Sequence, residues 1–162
     1  MPPRAPVVWT TTPKRGERIL RKLDERHRDL TRDARRRGDR YRGARAAATD
    51  PETLRLRGEF LAALGRLAAF EDASLSLGRC RYDLQVVAYA DDLSRDYFRL
   101  WQHLARRGAE PRSDDEGAAE RMDRFAVQLG RLEGLADALT IAGRNVRLFP
   151  PPHVPWSPFA TA

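Results

Sequence analysis

Apolar positions in the first third of the chain recur at helical spacing. Leu20, Leu23, His27, Leu30, Ala34, Tyr41 and Ala44 supply apolar or neutral positions three, four or seven residues apart. Such a stripe lies along one side of an α-helix and has the form of a heptad. Only Arg37 interrupts it. Thr12 can cap this helix, and Pro13 suits its first position, where a missing N–H leaves no bond unmade. The spacing predicts one helix from about Pro13 to Ala47.

The same start signal returns at Asp50-Pro51-Glu52: a cap, a first-position proline and an acid in the first turn. A long stripe follows through Leu54, Leu61, Leu64, Ala68, Leu75, Tyr82, Val86, Tyr89, Leu93, Tyr97, Leu100 and Leu104. No proline occurs between Pro51 and Pro111. An unbroken helix here would run about 55 residues and span roughly 80 Å. Its weak point is ASLSLG, Ala73 to Gly78, where serines and a glycine favour a kink or a split. Two helices, or one bent helix, are expected over 51–107. Gly58 and Gly65, seven apart, are placed to let another backbone come close.

GAEPRSDDEG, from Gly108 to Gly117, reads as a loop with a capping box, Ser113 and Glu116. The next stripe is the cleanest: Ala118, Met122, Phe125, Leu129, Leu132, Ala136, Leu139, Gly143 and Val146. It predicts a helix ending near Asn145. The sequence then turns to prolines, five between Pro150 and Pro158, which excludes helix and predicts an extended arm. The expected fold is all-α. It is an elongated antiparallel bundle of three or four helices with coiled-coil-like seams over 12–147. An extended arm flanks it at each end, 1–11 and a Pro-rich 148–162.

Charge changes this picture in one segment. The 162 residues carry a net charge of +7. Lys14 to Arg45 alone holds fourteen basic and six acidic residues, a local +8, while 46–162 holds fifteen and seventeen, or −2. All but two of the basic residues are arginines, which suits phosphate and carboxylate partners. The run RDLTRDARRRGDRYRGAR, 28–45, has eight arginines threaded by three aspartates. Arg28, Arg32, Arg35, Arg36, Arg40 and Arg42 are candidate phosphate contacts. Against this reading, Asp24 and Arg28, and Asp33 and Arg37, have the spacing of intrahelical pairs, and only Tyr41 offers a base-stacking ring.

Catalytic signals are sparse. The only histidines are His27, His103 and His153, with no ligand spacing between them. No phosphate-binding loop, dinucleotide fingerprint or nucleophile elbow occurs. Cys80, flanked by Arg79 and Arg81, is either a low-pKa thiol or a small packed residue, and packing is the better reading. A lone cysteine also excludes a disulfide framework and a Cys-based zinc site. Arg37-Gly38-Asp39 falls inside the helical stripe, not on a loop, which argues against an adhesion motif. No cofactor or metal is expected. No window is long and apolar enough to span a membrane, and MPPRAPVVW lacks the apolar core of a signal peptide.

These features point away from an enzyme and toward an assembly, adaptor or scaffold subunit, of the kind found in large complexes and in virus or phage particles. Heptad seams and arms would bind neighbouring subunits, including copies of the same chain. Trp9, Phe149, Val154, Trp156 and Phe159 are the candidate contacts, because an arm alone leaves large apolar groups in water. The alternative is a nucleic-acid-binding protein acting through the arginine-rich helix. The expected location is the cytoplasm or the interior of such a particle.

Overall fold

A computed structural model describes residues 13–44, 51–108 and 117–146. They form four helices and no strand: α1 (Pro13–Ala44), α2 (Pro51–Arg79), α3 (Asp83–Gly108) and α4 (Ala118–Ile141). The predicted helical bundle is therefore present. Thr12, residues 45–50, Ser113 and Glu116, and both terminal arms lie outside the described residues.

α1 turns Leu23, Leu30 and Ala34 into the core, as its stripe predicts. Tyr41 stacks on Phe60 of α2, with ring centroids 6.2 Å apart. Arg37, the interruption, points to the same partner helix and pairs with Glu59 at 3.5 Å and with its own Asp33 at 2.8 Å. Leu20 differs from expectation and is half-exposed. At the far end the Thr53 hydroxyl donates to the Ala44 carbonyl at 3.2 Å, tying the start of α2 to the end of α1.

The long second stripe is split, but not within ASLSLG. Ser74 returns its hydroxyl to the Phe70 carbonyl at 2.7 Å, so the helix absorbs it and continues to Arg79. The break falls at Cys80 to Tyr82. Gln85 causes the restart. Its side-chain oxygen accepts from the backbone N–H groups of Arg81 at 2.7 Å and Tyr82 at 3.2 Å, which is one half of a capping box.

The outer part of the second stripe is also corrected. Leu54, Leu64, Ala68 and Leu75 face solvent, and the buried set on α2 is Thr53, Leu56, Gly58, Ala63, Gly65, Ala69, Phe70, Ala73 and Leu77. The reason is the partner. α2 packs chiefly on α4 across small residues, and the seam follows the glycines and alanines, leaving the leucines outside. A Cβ added at Gly65 would overlap the Val127 backbone, at Gly130 the Ala62 carbonyl, and at Gly134 the Arg66 carbonyl. Gly65 thus does what its position suggested, and α4 answers with two glycines of its own.

Sequential neighbours run antiparallel, as His27 with Glu71 and Arg37 with Glu59 show for α1 and α2. α2 and α4 run parallel, since Arg57 meets Asp123 and Arg66 meets Asp137. α2 and α4 therefore make the central pair, with α1 and α3 on its flanks. Phe70, Leu104, Phe125, Leu132 and Leu139 are the largest fully buried side chains.

α4 ends earlier than its stripe suggests. Gly143 has φ +88°, the left-handed region, and is a terminator, not a stripe member. The Arg144 N–H donates to the Leu139 carbonyl at 2.8 Å and the Gly143 N–H to Thr140 at 3.1 Å, a Schellman end. Val146 then folds back into the core.

Candidate interaction surfaces

Three surfaces can meet a partner, and one buried charged cluster ties α1, α2 and α4 together. On the outer face of α1, Arg28, Arg32, Arg35, Arg36, Arg40 and Arg42 are all exposed. Asp29 stands 3.8 Å from Arg32, Asp33 2.6 Å from Arg36 and Asp39 2.5 Å from Arg42, each one helical turn away. Burial pushes the Asp33 carboxyl up, but hydrogen bonds from Arg36 and Arg37 outweigh it and hold the group below its ordinary range. The structure brings the six arginines onto one side of the molecule and interleaves them with acids, so the local field is weaker than the count suggests.

The second surface is the outward face of α2, a strip from Leu54 to Leu75 roughly 32 Å long. Leu54, Leu64 and Leu75 are 49%, 41% and 62% exposed, with Leu61 and Ala68 between them. The third is the end of the bundle around the α2–α3 turn, where Leu20, Tyr82, Leu84 and Val87 are exposed. The Gly38 of the Arg37-Gly38-Asp39 triplet is buried under the Phe60 ring within α1, so the triplet is not displayed on a loop.

Between α2, α3 and α4 lies an open cleft of about 650 Å³. Leu93, Leu100 and Leu135 line it together with Asp72, Asp96, Arg99 and Arg131. Among the described residues, no three His, Cys, Asp or Glu side chains gather to hold a metal. Cys80 donates its thiol to the Ser76 carbonyl at 3.3 Å, and burial pushes its pKa up. A thiol activated by Arg79 and Arg81 is thus not what the structure contains.

Sequence reading missed the cluster at Asp137. This residue sits in LADAL on α4, and its side chain is 1% exposed. Arg26 of α1 donates to both carboxylate oxygens, at 3.0 and 3.1 Å. Arg66 of α2 does the same, Nε at 2.8 Å and a terminal nitrogen at 3.2 Å. Arg66 also reaches Glu133 at 3.0 Å. Burial pushes the Arg66 guanidinium down, and its bonds to Asp137 reverse that and raise it. One carboxylate therefore joins three helices. An acid between two alanines inside the apolar run LADAL is the signal that could have found it.

Of the residues proposed as protein contacts, Trp9, Phe149, Val154, Trp156 and Phe159 lie outside the described residues. Among the described residues no helix is long and apolar enough to cross a membrane. Comparison of the chain with protein-family models, with curated proteins and with solved structures found no match.

Proposed function

We propose that this chain is a non-enzymatic assembly or adaptor subunit that binds copies of itself within a larger complex. Virus and phage particles are examples of such assemblies, and the interior of one, or the cytoplasm, is the proposed location. The observation that carries this reading is the outward apolar face of α2. Single exposed leucines are ordinary, but a strip of them along one helix marks a protein-binding surface. The arms supply further apolar anchors in Trp9, Phe149, Val154, Trp156 and Phe159.

The test is solution mass by light scattering. The full chain is expected well above its 18.4 kDa monomer. Leu64→Glu with Leu75→Glu, or removal of 148–162, should lower the mass without loss of helical circular dichroism. A full chain that remains monomeric at tens of micromolar overturns the reading.

A second reading is favoured by the six exposed arginines on one face of α1. A nucleic-acid-binding bundle making about six phosphate contacts should lose affinity with salt at a log–log slope near −5. Undetectable binding to DNA and RNA at moderate salt eliminates it.

A further inference from the structure

Five of the seven large apolar side chains left most exposed among the described residues frame one end of the bundle. They are Leu20, Leu75, Tyr82, Leu84 and Val87. Leu20 lies over Gly78 at the close of α2, Tyr82 is in the turn, and Leu84 and Val87 open α3. The C-terminal segment departs from this same end. Arg144, just past α4, pairs with Asp91 of α3, and Val146 is buried beside it in the core. Asp91 is seven residues from Leu84, about 10 Å along α3.

Sixteen residues follow Val146, including Phe149, Val154, Trp156, Phe159 and five prolines. At the polyproline rise of about 3.1 Å per residue, sixteen residues reach at most about 50 Å. Ten and thirteen residues separate Trp156 and Phe159 from Val146, a reach of roughly 30–40 Å against a patch that begins about 10 Å away. A second copy facing this end has the same patch within reach.

We infer that the apolar end at the α2–α3 turn is the seat for the C-terminal arm of a second copy. The exchange is reciprocal: Trp156 and Phe159 of each chain cover Tyr82, Leu84 and Val87 of the other across a two-fold axis. The inference rests on the self-assembly reading above and names the surface and the segment that meet.

The test places p-benzoylphenylalanine at Leu84 in the full chain. Heavy-isotope and light chains are mixed, allowed to exchange and irradiated. Cross-links from position 84 to residues 147–162 of the oppositely labelled chain are expected. Leu84→Asp with Val87→Asp should weaken self-association about a hundredfold, with helicity unchanged because both side chains are exposed. Same-label cross-links alone would mean that the arm covers its own chain, and cross-links to any other segment would mean a different occupant. Either result overturns the inference. A mass insensitive to the double aspartate variant yet reduced by removing 148–162 overturns the seat and leaves the assembly reading standing. A monomeric full chain overturns both.

Discussion

The outer face of α1 and the seam around Asp137 use the same residue types to opposite effect. Outside, Asp39 and Arg42 meet at 2.5 Å with both side chains more than half exposed. Inside, Asp137 is almost wholly removed from water and takes four hydrogen bonds from Arg26 and Arg66. An exposed ion pair contributes about 0–1 kcal/mol, because water and salt already solvate both partners. A buried one adds little net stability when whole, yet breaking it strands charge in a low dielectric. The difference teaches that arginine content and arginine importance are separate matters. The exposed arginines of the run on α1 should be replaceable one at a time at little cost, while one aspartate between two alanines should not.

The largest test of this contrast removes the buried partner. Asp137→Ala should lower unfolding free energy by about 3–5 kcal/mol in urea titration, since Arg26 then loses its carboxylate and Arg66 keeps only the half-exposed Glu133. Replacing all three members together, Arg26→Met, Arg66→Met and Asp137→Leu, should recover most of that loss. If the triple variant is as unstable as the single one, the loss comes from packing and not from stranded charge.

A smaller effect separates two kinds of glycine. Gly130→Ala places a methyl against the Ala62 carbonyl and should cost about 1–3 kcal/mol. Gly43→Ala, in α1 with nothing within 4 Å of the new methyl, should stabilise by about 0.5–1 kcal/mol through helix propensity. Thermal melts of the two variants should move in opposite directions.

On the outer face the expected changes are smallest. Arg42→Ala should shift stability by less than about 0.5 kcal/mol, and by nothing measurable at 1 M salt. Asp33 gives the pH signature. Its folded pKa is below the ordinary 3.8, so its contribution is complete above about pH 4 and is lost as the pH falls through the lower folded value. Asp33→Asn should flatten that part of the acid limb in a stability-versus-pH series.

The helical class and the starts of α1 and α2 were legible because proline, acids and heptad spacing act locally, while the split of 51–107 into two helices was left open and fell at Cys80 to Tyr82, not in ASLSLG. The inward face of α1 was legible for the same reason: Leu23, Leu30 and Ala34 have polar neighbours on every other side. The face of α2 was not. Its leucine stripe is a sound heptad, but burial went to the side bearing Gly58, Ala63, Gly65 and Ala69. Periodicity ranks large residues above small ones. A backbone-to-backbone crossing ranks them the other way, and the fit between Gly65 and Val127 depends on two segments that no local window contains together. Gly143 was read as a stripe member because its left-handed backbone does not show in spacing. Asp137 escaped because its partners are on two other helices.

The seam also sets an order of events. Arg66 and Asp137 are 71 residues apart in sequence, and Arg26 and Asp137 are 111 apart. Each helix can form from contacts within a few turns, and α1 can zip against α2 as a hairpin. The parallel pairing of α2 with α4 has to wait until α3 has carried the chain back. Loop closure over that span is the slow event in a fold otherwise built from local pieces. By this ordering the joint between α2 and α4 should be among the last to close during refolding, with the glycine faces of both helices bare until it does.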